Sequence, residues 1–218
     1  MAFLTPRRVE QRELLDEHDA PVADMDRSLR DLRCINRYLG GRRIYRRLLR
    51  RFRDVRSVLD LGAASADLLE GLPAAHLRVA LDFKIDHLLF SRSSEIRRVV
   101  ADATRLPFRD SSVDVVTSAH FFHHFSAEEN MAILRESLRV AARGVAVNDT
   151  RRHYVPLLFV RLISALHFVG RITRFDAPLS VQRGYTLDEA RAIARRVGAK
   201  TSRVVRAFPY RFGILLWK

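Results

Sequence analysis

The stretch VLDLGAASADLLEGLP, Val58 to Pro73, decides how the rest of the chain is read. Its first half is an apolar run carrying one acid, Asp60, and closing on Gly62. That is the pattern of a buried strand turning beneath a phosphate or nucleoside. Its second half departs from the pattern, because Ala64 and Ala66 stand where further glycines are usual. If the backbone at Ala64 needs a positive φ, its β-carbon costs about 1 kcal/mol or more. If it needs only close approach, a methyl group crowds whatever lies against it. The turn is read as working but weakened.

Outward from it, strands and helices alternate. Ser57 to Leu61 is the first strand, and a helix is expected from about Ser65. Leu77 to Asp82 reads as a second strand, with a helix through Leu88, Leu89 and Phe90 behind it. Short strands are expected at Arg98 to Ala101, Val113 to Ser118 and Val145 to Val147. Ser126-Ala-Glu-Glu129 has capping-box spacing, followed by the apolar stripe Met131, Leu134, Leu138 and Ala141, which Gly144 ends. Thr186-Leu-Asp-Glu189 repeats the device, with Leu187, Ala190, Ile193, Ala194 and Val197 on one face and Gly198 just past the end. TSRVVRAFPYRFGILLWK reads as two strands joined near Pro209, an antiparallel hairpin.

Upstream, Leu29, Leu32, Ile35 and Leu39 mark a helix over Asp26 to Leu39 that Gly40-Gly41 stops. Ile44, Leu48, Leu49 and Phe52 mark a second, and the first 24 residues are a loosely held arm or a short helix. Alternating strands and helices imply an α/β fold with a parallel sheet. The implied organisation is a helical N-terminal cap, 1–56, and a sheet domain, 57–218, with a lid insertion at 150–183, in one compact unit.

A chain of 218 residues, 48% hydrophobic, is long enough for one well-cored globular domain. No signal-peptide core and no apolar run of about 20 residues is present, so a cytoplasmic protein is expected. Cys34 is the single cysteine, which excludes an internal disulfide and argues against a cysteine-based zinc site. The net charge of +14 is almost all arginine, since Lys84, Lys200 and Lys218 are the only lysines. Such a surface suits nucleic acid, anionic lipid or an acidic partner, and arginine-rich codon usage produces it with no partner at all. The densest run, GRRIYRRLLRRFRDVR at 41–56, has the spacing of a solvated helix face, and Tyr45 and Phe52 are too few for base stacking.

Ligands of an open α/β sheet sit beyond the carboxyl ends of its strands, so those ends belong together. They carry Asp60 and Gly62, then Asp82, then Asp102, then SAHFFHHF, then Asn148-Asp149. Asp82 follows Gly62 by 20 residues, a spacing that suits an acid on ribose hydroxyls. A single acid at a strand end is usually a cap; three in succession around one glycine turn are not.

On VLDLG (58–62), ALD (80–82), VVADATRLPFRDSSVDVV (99–116) and FHHF (122–125), the sequence resembles the class I S-adenosylmethionine (SAM)-dependent methyltransferases. The resemblance is to the small-molecule branch that includes ubiquinone- and menaquinone-biosynthesis and antibiotic-tailoring enzymes. It implies a Rossmann-like seven-stranded sheet, mostly parallel with a C-terminal antiparallel hairpin, a helical N-terminal cap and a lid helix. It also implies SAM as cofactor. Gly62, Ala63 and Ala64 would then lie against its methionine part and Asp60 would orient its ammonium. Asp82, with Phe83 beside it, would take the ribose hydroxyls. Asp102 would accept from the adenine amino group beside the Ala103 backbone, and Ser118 and Ala119 would wall the sulfonium.

Methyl transfer needs alignment and, for a phenol or enol acceptor, loss of a proton, which suits histidine. By the resemblance His123, His124 and Asp149 are the catalytic candidates, and His120, Arg152 and Phe159 the substrate contacts. The alternative for His124 is packing or capping of the following helix. VPLLFVRLISALHFV at 155–169, flanked by Arg151, Arg152, Arg171 and Arg174, reads as a lid over a hydrophobic small-molecule acceptor or as a helix lying on an anionic membrane. A phenolic, polyketide or quinone-like acceptor fits best, in a monomer or homodimer with peripheral membrane contact left open.

Nucleic-acid methylation is disfavoured. No Asn/Asp-Pro-Pro-aromatic stretch follows the fourth strand, and Cys34 is far from any strand end. A Rossmann dehydrogenase would need the second glycine more, for its pyrophosphate. A methyltransferase-fold partner protein without activity is the remaining alternative. No metal site is expected, because the histidine cluster has no carboxylate at ligand spacing and only folding could bring Asp149 to it.

Overall fold

The computed structural model describes residues 4–16, 20–73, 77–91 and 93–218; parts of the expected arm, 1–3 and 17–19, lie outside the described residues. The described residues include seven strands: β1 (Ser57–Leu61), β2 (Leu77–Asp82), β3 (Ile96–Val100), β4 (Val113–Ala119), β5 (Ala141–Thr150), β6 (Thr201–Ala207) and β7 (Arg211–Trp217). They form one sheet in the order β3-β2-β1-β4-β5-β7-β6. The first five run parallel, and β7 is antiparallel to both β5 and β6. This is the mostly parallel, seven-stranded sheet with a C-terminal hairpin that the sequence implied.

Val58 to Leu61 are buried on both faces, which is why β1 reads as a continuous apolar run. Leu59 and Leu61 enter one core with Val147, packed under α5 (Ala127–Val140) and α8 (Leu187–Arg196). Val58, Val115 and Ala146 enter the other, under α2 (Gly41–Leu49), α3 (Asp67–Glu70) and α4 (Ile85–Phe90). Each fully buried aliphatic side chain contributes about 1.5–3 kcal/mol, so both faces lock the alternation. That alternation aims the site: Asp60 and Asn148 share the α2 side with Val58 and Ala146, while Asp149 shares the α5 side with Val147.

Both capping boxes form. The Ser126 hydroxyl accepts from the Glu129 N–H, and the Glu129 carboxylate accepts from the Ser126 N–H. Thr186 and Glu189 do the same at the start of α8. Gly198 takes the left-handed conformation just past that helix, as its spacing predicted.

Gly144 does not end α5. The helix closes at Val140 and the chain passes straight into β5, where Gly144 lies between its two neighbours. A β-carbon there would stand 2.0 Å from the Leu216 carbonyl oxygen, so packing against β7 requires the glycine. The helix expected near Ser65 shrinks to the single turn α3, and β5 extends to ten residues.

The helix expected within 155–169 is α6 (Tyr154–Ala165). A further helix, α7 (Arg171–Arg183), was missed; Pro178 inside it and the lack of an apolar stripe hid it. Upstream, α1 (Val22–Tyr38) ends before Gly40, which takes a left-handed φ of 81°, and α2 follows at once. The N-terminal arm is not loose. Arg8 bonds the carbonyls of Phe125 and Arg183, and Arg183 in turn bonds the carbonyls of Gln11, His123 and His124. Asp176 of α7 accepts from the N–H groups of Leu14 and Leu15, and Lys84 reaches the Leu15 carbonyl. The arm thus crosses the carboxyl ends of the strands from Tyr185 to the end of β2.

Candidate active site

At the end of β1 three residues adopt left-handed backbone: Gly62 (φ 61°), Ala64 (φ 44°) and Ala66 (φ 53°). Ala64 therefore does hold the conformation that disfavours a β-carbon, and Ala66 does too. Asp82 braces this loop, one carboxylate oxygen accepting from the Ala64 N–H at 2.9 Å and the other from the Lys84 N–H at 3.0 Å. A β-carbon on Gly62 would lie 2.2 Å from the Phe121 ring, which packs edge-on against Phe125.

Asp60 is 2% exposed and stands beside Thr117 in the parallel register. Thr117 donates to it at 2.7 Å, and the Tyr45 hydroxyl lies 2.8 Å from the Thr117 oxygen. Burial pushes Asp60 up to about 7, and the nearby Asp67 and Asp82 carboxylates add to the rise. A buried carboxylate partnered by hydroxyls suits a ligand that brings its own cation, as the SAM ammonium does. Phe83 is exposed beside Asp82, Ala103 is buried, and the exposed Asp102 accepts from the Thr104 N–H. Ser118 is buried and Ala119 partly so, at the end of β4. A strained turn, the acid that braces it and a buried carboxylate with hydroxyl partners, at the adjoining ends of β1 and β2, fit the cofactor.

The Phe122–His124 turn follows β4. Asp149, aimed to this side by strand alternation, accepts from the His123 N–H at 3.0 Å, from His123 Nδ1 at 2.9 Å and from the Thr150 N–H at 2.6 Å. His123 Nε2 lies 3.2 Å from Glu13, and His124 Nδ1 2.8 Å from Asp16. Against the opposing effect of burial, Asp149 and Glu13 raise His123 to about 10. Asp149 falls well below the carboxylate range, held ionised by His123 against its own burial. The structure joins the predicted His123 and Asp149 directly, yet with carboxylates on both ring nitrogens His123 has no free base position. Folding brings Asp149 to the histidine cluster, the route the sequence left open, and adds two carboxylates of the arm that no spacing announced, Glu13 and Asp16.

On the other side of the sheet end lies a cavity of ≈ 850 Å³, enclosed by α1, α6, α7 and the β6–β7 turn. Its walls are largely apolar, with Leu32, Ile35, Val155, Phe159 and Phe208 among them. His120 and Arg211 supply polar groups. Among the described residues, His120 Nε2 and Arg211 Nη1 are buried without hydrogen-bond partners, as are Oδ1 and Nδ2 of Asn148. Burial, with the Arg211 charge adding to it, drives His120 well below the usual histidine range. Burial lowers Arg211 to about 10, so it stays cationic at neutral pH.

Of the predicted acceptor contacts, His120 and Phe159 line this cavity. Arg152 does not; it bonds the Gly184 and Pro6 carbonyls and Glu189, clamping the arm to α8. Sequence reasoning missed Arg211 and Glu13. Nothing in a chain so rich in arginine marks Arg211, and Glu13 lies 110 residues from its partner His123.

A methyltransferase-domain family profile matches residues 59–147. A demethylmenaquinone methyltransferase of Mycobacterium sp. (strain KMS) is 38% identical over 155 residues, 65% of this chain; the chain spans 65% of that relative's length. A SAM-dependent methyltransferase from Aquifex aeolicus shares the fold with a TM-score of 0.62, 18% identity, and coverage of 88% of this chain and 97% of its own. Human N-acetylserotonin methyltransferase, solved with SAM, does so with a TM-score of 0.66, 16% identity, and coverage of 91% and 56%. Residues 59–147 thus match a methyltransferase domain, and the strand order of the whole sheet is the fold of the S-adenosylmethionine-dependent methyltransferases.

Proposed function

We propose that the chain methylates an apolar aromatic small molecule, a phenol or quinol, at a hydroxyl oxygen or the adjacent ring carbon. The observation that carries this reading is the apolar cavity at the end of β4 with His120 Nε2 and Arg211 Nη1 buried in its wall and unpartnered. Bound SAM supplies an electrophilic methyl carbon on a sulfonium and leaves as the neutral thioether. The chain's own work is alignment and handling of one proton. Arg211 stabilises the phenolate as it forms, and His120, neutral in this setting, takes the hydroxyl proton at a ring nitrogen. His123, paired on both nitrogens, holds the turn that follows His120. The α6 stripe Tyr154, Leu158, Leu162 and Leu166 is exposed on the outer side of the cavity wall. It fits an acceptor delivered from an anionic membrane surface.

The test is transfer of a labelled methyl group from SAM to a panel of phenols and quinols. His120→Asn, which tolerates the observed left-handed φ of 53°, is expected to lower kcat by about 10²–10⁴-fold while SAM binding persists. Full activity in this variant removes the base assignment. SAM binding with no methylation across the panel removes the acceptor class.

A further inference from the structure

We propose that Glu13, His123 and His124 form a binding site for one divalent late first-row cation of the zinc type, with Asp149 and Asp16 orienting the two imidazoles. Three observations converge on it. The first is distance: one ligand atom from each residue lies within 4.8 Å of the others. His123 Nε2 is 3.2 Å from Glu13 Oε1, and His124 Nε2 is 3.9 Å from Glu13 Oε2. Metal–ligand bonds of about 2.0–2.2 Å place tetrahedral ligand atoms about 3.3–3.5 Å apart, so only small side-chain movements separate this cluster from coordination.

The second is orientation. Each histidine has a carboxylate on Nδ1, Asp149 at 2.9 Å and Asp16 at 2.8 Å. A carboxylate on Nδ1 is the usual outer-shell partner of an imidazole that ligates through Nε2, and a metal there would displace the proton that His123 Nε2 shares with Glu13. The rings stack at 4.2 Å, which turns both Nε2 atoms toward the same glutamate. Ser180 donates to Glu13 at 2.7 Å and fixes its carboxylate in turn.

The third is charge. Three carboxylates, Glu13, Asp16 and Asp149, converge on two imidazoles, and a dication at their centre would offset two of those three negative charges. Two imidazoles and one carboxylate favour zinc-like ions over Mg²⁺ and Ca²⁺, which prefer oxygen ligands alone. Glu13 also lines the acceptor cavity, so an ion there sits at its wall. It would tie the arm to the turn after β4.

The experiment is calorimetric titration of chelator-treated full-length protein with Zn²⁺ and, in parallel, with Mg²⁺. One Zn²⁺ per chain at micromolar affinity or tighter, with a raised Tm and no matching response to Mg²⁺, is the expected result. His124→Ala and Glu13→Gln, each confirmed folded by circular dichroism, should each weaken Zn²⁺ binding at least tenfold. No stoichiometric Zn²⁺ binding by the folded protein overturns the site, as does binding undiminished in both variants. The site does not rest on the methyl-transfer reading. SAM titrated into the same samples reports separately on that, since zinc can fail to bind where SAM binds, and the reverse.

Discussion

Two alanine β-carbons, on Ala64 and Ala66, are held at φ 44° and 53°, where an L-residue costs about 1–2 kcal/mol. That strain lies in the backbone of the fold itself, so relieving it should register as stability. Ala64→Gly, after the entropic cost of a glycine, is expected to raise Tm by about 2–4 °C in scanning calorimetry. SAM affinity should change less than about threefold; a larger gain would mean that the methyl group crowds the ligand. Asp60 makes the complementary statement about charge. Its pKa is raised from 3.8 to about 7, so its contribution to stability is full below pH 4 and is lost as pH rises through 7. A bound ammonium favours the ionised carboxylate, so binding releases a proton below pH 7. Titration with SAM at pH 6 and pH 8 should give tighter binding at pH 8, and Asp60→Asn should flatten the difference.

Among the elements, α6 divides its two sides between the cavity and solvent. Val155, Pro156, Phe159 and Val160 line the cavity, Val155 and Phe159 while still 47% exposed, and Leu158 and Leu162 lie outside it, 61% and 57% exposed. The protein is expected to co-sediment with vesicles containing phosphatidylglycerol, less at high salt, and Leu158→Glu with Leu162→Glu should abolish pelleting while SAM still binds. Retained pelleting would assign it to the arginine surface alone. β1 and β2 could be read to the residue because their apolar runs are bounded by turn signals on both sides. β5 could not, because α5 runs into it without a break and its ends, Ala141 to Arg143 and Asn148 to Thr150, are small or polar. The helix α7 carries no stripe because it packs against the arm, α1 and α6 at once.

For the whole molecule, the carboxyl ends of the strands were legible and the cavity beside them only partly so. In a parallel sheet the strand ends line up, so Asp60, Asp82 and Asp102 fall at neighbouring carboxyl ends once the strands are placed. Glu13 and Arg211 come from the two ends of the described chain, and no local pattern announces that they meet the β4 turn and its cavity. The arm carries a consequence of its own. Arg8 meets the Arg183 carbonyl across 175 positions, and Arg183 reaches back to the Gln11 carbonyl across 172. On a ribosome adding about 5–20 residues per second, the arm waits on the order of 10–30 s for those partners to be made. Residues translated early are thus among the last to be placed. The nascent sheet has to assemble without its clasp, and closing of the site can only follow the emergence of α7.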